Sequence, residues 1–473
     1  MMNRHRLIVI LALTSLLLSR LPAAGQEKIR EGEAYEKILC QDDPSESYSL
    51  YLPAGYSPDK KWPILYAYDP GAQGKIPVER YKAIAERYGY IVAGSNNAQN
   101  GPWEPILRAV NAVWLDTHSR FAIDEKRVYV TGFSGGARVA SRLPKLSRLA
   151  IAGVIGCGAG LAVGEKMEDL GGAYYCGVVG RMDFNYTEMR RLSAEMEARA
   201  VIHRLLVFEG GHSWPPAEVF QKAVEWMEVL AIKQGLRLLD KKLAGELFLK
   251  EVAEIKALEQ SGNLIDAAHS YGSVIGAFKG LVDVSELEAG REQLRKSAAY
   301  QRALREESAS AKEELATRTK LSRAISRIDQ EKSDSLELEK VLKDLGLEPL
   351  LREAEEDKNT QAKLVAYRCL LALSLDCRTK GFAALDGGEA KKAVLFFDIA
   401  VRTAKVMPAH LGYLYFYLAS AYALDRNASK ALACLAEAVK AGFKDAESLE
   451  KEPNFNSIRK SKEFQDLLDA LKR

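Results

Sequence analysis

Between about Ser47 and Gly235 the chain alternates short runs of β-branched and aromatic residues with amphipathic stretches of helical period, and beyond Gly235 that alternation stops. Apolar runs interleaved with helices of this length build a parallel sheet covered by helices on both faces. The spacing predicts strands at Ser47 to Leu52, Trp62 to Tyr68, Tyr90 to Gly94, Arg127 to Thr131, Ile151 to Cys157, Tyr174 to Gly180 and Ile202 to Phe208. Helices are expected at Val78 to Tyr88, Glu104 to His118, Gly136 to Leu143, Tyr186 to Ala200 and Pro216 to Gln234. Pro144 should end or kink the third of these, and Pro216 suits a first helical turn, where an amide has no partner to lose. All five tryptophans fall before residue 227, so the large aromatic core belongs to this first part.

At 473 residues the chain exceeds one ordinary core, which fits a second domain. Its 67 basic and 64 acidic residues nearly cancel and form no sustained basic block, which argues against nucleic acid as a partner. Residues 1–25 read as a secretory signal: two arginines, an apolar stretch from Leu7 to Leu18, then Pro22, Ala23, Ala24 and Gly25. That stretch falls short of the roughly 20 residues needed to span a bilayer, so an exported chain without a membrane span is expected, periplasmic or secreted. The six cysteines include no C-x-x-C spacing, so neither a zinc cluster nor a redox pair is indicated. Cys369 and Cys377 would lie about 12 Å apart along one helix, too far to bridge. Buried small apolar side chains are the expected role of all six.

Beyond Gly235 apolar residues recur at three- and four-residue spacing. Three segments share one helix-turn-helix pattern: Leu258 to Ile275 around Gly262, Ala384 to Ala400 around Gly388, and Ala423 to Ala438 around Asn427. Small residues (Ala267, Ala268; Ala393; Ala431) sit where two antiparallel helices approach closely, and these units resemble tetratricopeptide repeats. The division expected is a first hairpin at 236–284, a charged, solvated helical spacer at 285–357 and further repeats at 358–473. Repeat stacks make concave grooves, so a protein or peptide partner is expected there; a plain helical bundle is the alternative.

The strongest local signal is Arg127-Val-Tyr-Val-Thr-Gly132-Phe133-Ser134-Gly135-Gly136-Ala137-Arg138, a β-branched strand running into G-x-S-x-G and a helix-compatible segment. Glycines flank the serine because a strand turning sharply into a helix leaves no room for side chains there. Of the six histidines, His212 alone follows a late strand in a glycine-bearing loop, Phe208-Glu-Gly-Gly-His212-Ser-Trp214-Pro. A serine hydroxyl needs such a base. Asp183 directly follows the strand before it and could fix the imidazole; Glu188 and Glu209 are competing carboxylates.

This pattern, in the order Ser134, Asp183, His212, resembles the α/β-hydrolase superfamily, and within it the carboxylesterases of the feruloyl esterase and polyhydroxyalkanoate depolymerase kind. The likeness rests on Gly132-Phe-Ser-Gly-Gly136 and Gly211-His-Ser-Trp-Pro215 and covers only 47–235. It implies an α/β-hydrolase domain over 40–235 acting on small or polymeric esters through a Ser-His-Asp triad, with no cofactor and no metal. The Gly135 amide, at a helix start, is the first oxyanion donor it implies. Where many relatives carry His-Gly, this chain has Tyr68-Asp69-Pro70-Gly71-Ala72; Pro70 has no N–H, so Gly71 or Ala72 is expected to give the second, with Asp69 pointing elsewhere. Trp103 and Trp214 are candidate pocket walls, with core packing as the alternative. A serine peptidase, and a silent hydrolase-like domain that recruits partners through its repeats, remain open readings.

Overall fold

The computed structural model describes residues 29–146, 150–331, 338–356, 360–406 and 410–472. The leader expected at 1–25 lies outside the described residues.

One sheet of eight strands organises the first part: Ala34–Leu39 (β1), Ser47–Tyr51 (β2), Trp62–Tyr68 (β3), Ile91–Ser95 (β4), Ile123–Phe133 (β5), Ile151–Cys157 (β6), Tyr174–Gly180 (β7) and His203–Phe208 (β8). Their order is β1-β2-β4-β3-β5-β6-β7-β8. From β4 to β8 every pairing is parallel, while β1–β2 and β2–β4 are antiparallel. Helices Lys75–Tyr88 (α1), Trp103–Arg120 (α2), Gly135–Leu146 (α3) and Tyr186–Ala198 (α4) connect strands, and Ala217–Lys233 (α5) follows β8. Successive strand residues point to opposite faces, so each central strand feeds two cores. Leu65, Tyr129, Ile155 and Val178 pack with α1 and α5 on one face. Ile64, Tyr66, Val128, Val130 and Val154 pack with α2 and α3 on the other. The result is a mostly parallel sheet with helices on both faces followed by an all-helical region, as the sequence pattern predicts.

Three local features depart from expectation. The edge strand β1 was not foreseen, because Ala34-Tyr-Glu-Lys-Ile-Leu39 is charged and half exposed and becomes a strand only by pairing with β2. Pro144 does not end α3, which runs on to Leu146: the lost amide falls in the last turn. Pro216 sits just before α5 rather than within its first turn.

The helical part comprises Lys241–Gln260 (α6), Leu264–Phe278 (α7), Ser285–Lys296 (α8), Ala298–Gln330 (α9), Leu338–Leu345 (α10), Glu348–Glu355 (α11), Gln361–Asp386 (α12), Ala390–Ala404 (α13), Leu411–Leu424 (α14), Ala428–Lys440 (α15), Ala446–Lys451 (α16) and Lys462–Lys472 (α17). The three repeated segments coincide with the pairs α6/α7, α12/α13 and α14/α15. Ala267, Ala393 and Ala431 are fully buried at the seams, where a larger side chain would hold the helices apart.

The stretch expected to be a solvated spacer is not one. Helix α9, 33 residues long, buries Tyr300 in the core shared with α5–α8, and Leu321, Ile325 and Ile328 in a separate core with α12–α15. Its charged residues find partners on the sheet domain: Glu307 takes Arg190 Nε at 3.0 Å, Glu314 takes the Thr187 hydroxyl at 2.8 Å, and Arg318 donates to the Phe184 carbonyl at 2.8 Å. Charge alternation along a helix marks a polar face, and only the fold shows that this face lies against another domain. Deeper in the same junction, Arg204 of β8 makes a bidentate pair with Glu251 of α6 at 2.7 and 2.8 Å, both nearly fully buried. Asp266 of α7 accepts from Arg181 at 2.8 Å and Arg190 at 2.6 Å. Burial alone would raise the Asp266 carboxyl, but the two guanidinium groups outweigh it and hold it below the usual range.

Candidate active site

Parallel strands bring their carboxyl ends to one edge of a sheet, where loops from different strands meet. Tyr68 pairs with Gly132, Phe133 with Cys157, and Gly180 with Phe208, so the loops after β3, β5, β7 and β8 open side by side. Ser134 stands between β5 and α3 with φ of 53°, a left-handed conformation uncommon for a non-glycine residue. Its amide is held by the Cys157 carbonyl at 2.8 Å, and its own carbonyl accepts from Ala137 and starts α3. The strained turn exists because two glycines let backbones touch. A Cβ on Gly132 would collide with the Gly136 carbonyl, and one on Gly136 with the Tyr68 carbonyl. Gly136→Ala is therefore expected to cost about 1–3 kcal/mol of stability through overpacking and to lower any Ser134-dependent turnover. A thermal melt and esterase activity both equal to wild type would contradict this.

The structure brings Ser134, Asp183 and His212 into one row. His212 Nε2 lies 2.9 Å from Ser134 Oγ, and His212 Nδ1 lies 2.9 Å from Asp183 Oδ2. Asp183 is fully buried and is held in place by the Asn185 amide, which donates to Oδ1 at 2.8 Å. Asn185 Nδ2 in turn donates to the Gly158 carbonyl at 2.7 Å. The loops bearing Asp183 and His212 are stitched together by Met182 N donating to the Gly210 carbonyl at 2.9 Å. Phe133 and Phe184 flank the imidazole, with ring centroids 4.6 and 4.4 Å away. Two aromatic walls of this kind restrict ring rotation and shield the Nδ1 hydrogen bond from water.

The rival carboxylates are engaged elsewhere. Glu188 takes Arg138 in a bidentate pair at 3.0 and 2.9 Å and the Gly160 amide at 3.0 Å. Glu209 is exposed and pairs with Arg181 at 2.8 Å. Beyond Arg138 lies a hollow of about 830 Å³, lined by Leu161, Glu165, Glu188 and Leu192 among others and by none of the three residues in the row. Its walls are largely charged.

Two expectations near the row are corrected. Gly71 and Ala72 do not present open amides: Gly71 N–H donates to Asp69 Oδ1 at 2.9 Å and Ala72 N–H to the Asp69 carbonyl at 3.0 Å. The cause is Asp69 itself, whose other oxygen accepts from Trp214 Nε1 at 2.8 Å, turning the carboxylate back onto its own loop. Trp214 accordingly is a brace rather than an open pocket wall, buried with its ring 5.7 Å from Phe133 and 5.9 Å from Tyr81. Trp103 starts α2 with the Arg142 guanidinium 4.1 Å above its ring, a packing role. A residue that sequence reasoning missed is Asn100, whose carboxamide lies against Gly135 so closely that a Cβ there could not fit. The polar run Asn96 to Asn100 was its only signal.

Among the described residues no group of His, Cys, Asp and Glu side chains is arranged to hold a metal ion, and no helix is long and apolar enough to cross a membrane. All six cysteines are free, five of them buried and Cys434 partly so.

Solved structures with a similar fold include a ferulic acid esterase, 14% identical over 41% of this chain and 96% of its own, with a TM-score of 0.34. The S-formylglutathione hydrolase FrmB from Staphylococcus aureus is 13% identical over 42% of this chain and 98% of its own, TM-score 0.34. A feruloyl esterase module from Clostridium thermocellum is 18% identical over 40% of this chain and 83% of its own, TM-score 0.30. No protein-family model matches the chain, and no curated protein does either. At these identities the likeness concerns the fold and assigns neither substrate nor residue roles.

Proposed function

We propose that this protein is an exported serine hydrolase that cleaves carboxylic esters through Ser134, His212 and Asp183. The observation that carries the reading is the unbroken row from Ser134 Oγ through the His212 ring to Asp183, with each link at 2.9 Å. Ser134 Oγ attacks the ester carbonyl carbon while His212 Nε2 takes its proton. The tetrahedral adduct collapses, the C–O bond to the alcohol breaks, and His212 returns the proton to the departing oxygen. Water then repeats the sequence on the acyl-enzyme, releasing acid and restoring the Ser134 hydroxyl. Asp183 accepts the Nδ1 proton bond throughout, fixing the tautomer and stabilising the imidazolium.

The Gly135 amide, at the start of α3, is the first donor to the developing oxyanion. With Gly71 and Ala72 committed to the Asp69 turn, the carboxamide of Asn100 beside Gly135 offers a second N–H. The leader-like pattern of residues 1–25 supports export, and the paired helices after Gly235 support a tetratricopeptide-like platform for a protein or peptide partner.

A fluorophosphonate probe tests the nucleophile in the folded protein: labelling at Ser134 is expected, and unlabelled protein would instead support a silent scaffold. Parallel rates on p-nitrophenyl acetate and peptide anilides test the reaction class. Faster cleavage of the anilides would replace the esterase reading with a peptidase.

A further inference from the structure

Helices α9 and α12 reach the loops that carry Asp183 and His212. The Tyr367 hydroxyl of α12 stands 3.8 Å from where a side chain on Gly211 would begin, one residue before His212. Its neighbour Arg368 donates from Nη1 to the Arg181 carbonyl at 3.0 Å, two residues before Asp183. From α9, Arg318 Nη1 donates to the Phe184 carbonyl at 2.8 Å, one residue after Asp183. The backbone around Asp183 is thus gripped on both sides by guanidinium groups that lie 187 and 134 positions further along the chain than the carbonyls they hold. The Phe184 ring is itself 4.4 Å from the His212 ring, so the same grip reaches the imidazole.

Both guanidinium groups are aimed by one carboxylate. Glu314 of α9 accepts from Arg368 Nε and Nη2, each at 2.8 Å, and from Arg318 Nη1 at 3.4 Å. It also accepts at 2.8 Å from the hydroxyl of Thr187, in the first turn of α4, the helix that opens just after Asp183. Glu314, Arg368 and Asp183 are each almost wholly buried, so water cannot stand in for a lost partner. A plain cross-link between helices is the ordinary role of such a cluster, and the rest of the junction shows what one looks like. Arg204 places its paired bonds on Glu251, and Arg190 pairs with Asp266 and Glu307. Arg368 and Arg318 instead divide their donors between Glu314 and a backbone carbonyl, and the two carbonyls bracket Asp183. A planar, rigid fork fixed at one end by a carboxylate carries position to its other end.

We propose that Glu314 and Arg368, with Arg318, are positioning residues for the row of Ser134, His212 and Asp183. They set where the Asp183 carboxylate meets His212 Nδ1, which makes the helical region part of the catalytic apparatus as well as an attached platform. The inference rests on the serine hydrolase reading above. None of the three touches substrate or reacting atoms. Their effect runs through the Arg181 and Phe184 carbonyls to the loop between them, where the Asp183 side chain is tied only to the Asn185 amide and to His212. A loop released at both carbonyls lets the carboxylate drift from Nδ1, and a displacement of about 1 Å caused far from the chemistry costs about a hundredfold in rate. Asp183 acts on the imidazole and not on the substrate, so the loss falls on kcat rather than on KM.

The test uses the full chain and p-nitrophenyl acetate, at a temperature well below every melt. Glu314→Gln and Arg368→Lys, which keep size but lose the charge or the fork, should each lower kcat roughly ten- to hundredfold with KM little changed. In the Asp183→Asn background the same substitutions should cost less than about twofold more, since the group they position is gone. Losses of equal size in both backgrounds, or an unchanged kcat, overturn the proposal. Glu251→Ala, which breaks the Arg204 pair elsewhere in the junction, should lower the melt and leave kcat near wild type. Should both buried substitutions prevent folding, Arg318→Gln at the more exposed end carries the same comparison, with an expected loss of about tenfold. Failure of the serine hydrolase reading shows separately, as wild-type protein that fluorophosphonate does not label. A readout without turnover then decides: the far-downfield proton resonance of His212 Nδ1–H, identified by its loss in Asp183→Ala. Its presence in wild type and its loss or marked shift in folded Arg368→Lys or Arg318→Gln support the proposal. A resonance missing from wild type, or the same in the variants, overturns it.

Discussion

Ser134→Ala is expected to lower ester turnover by at least about a thousandfold with little change in the thermal melt, because the substitution removes one oxygen from an otherwise intact row. Any residual rate would come from the oxyanion donors and from substrate positioning, which survive the change. Asp183→Asn should cost about 10⁴-fold in kcat. Asp183 Oδ2 accepts from His212 Nδ1, and an amide nitrogen presented there would favour the tautomer that donates toward Ser134. Glu209→Gln, which alters an exposed carboxylate paired with Arg181, is the matched control and should leave turnover near wild type. Steady-state kinetics on p-nitrophenyl acetate distinguish the three variants. Ester hydrolysis retained by Ser134→Ala at wild-type rate would end the nucleophile assignment.

Glu251→Ala carries the largest expected stability effect. Glu251 is the partner of Arg204, which stands 2% exposed at the back of the sheet, and its removal strands a guanidinium where water cannot reach it. Losing one member of a buried pair costs about 3–5 kcal/mol, while replacing both by apolar residues of similar volume is often neutral. Arg204→Met combined with Glu251→Met should therefore recover most of what Glu251→Ala loses. Chemical denaturation of wild type and both variants gives the comparison, with the transitions of the sheet and helical regions fitted separately. Because the pair joins β8 to α6, the transition that includes their junction should carry the loss. An effect below 1 kcal/mol, or a double replacement no better than the single one, would mean that this pair does not hold the junction.

The arrangement also explains how a helical region distant in sequence can influence chemistry in the sheet domain. Helices α9 and α12 touch the residues on either side of Asp183, through Arg318 to the Phe184 carbonyl and Arg368 to the Arg181 carbonyl. Those backbone contacts fix loops that would otherwise end in solvent. Loops tied down in this way keep Asp183 and His212 in register with Ser134 on a third loop, the geometry that the proposed proton transfer demands.

What could be read from residue order alone was local chemistry. A β-branched strand running into Gly132-Phe-Ser-Gly-Gly136 specifies a tight strand-to-helix turn, because only glycine tolerates the Tyr68 carbonyl at that approach. Apolar periodicity located most strands and helices within a few residues, since burial on both faces of a parallel sheet demands continuous apolar runs. It could not locate β1, whose charged residues take up strand geometry from a partner, nor show that the polar face of α9 meets Tyr186, Thr187 and Arg190. The same holds for the pairing of Glu188 with Arg138, and for Asp69, turned by a Trp214 that lies 145 positions further along. Pairings of this kind follow from how the two cores stack against each other, and charge and hydrogen-bonding capacity in sequence leave many such pairings equally open until the packing of side chains selects one.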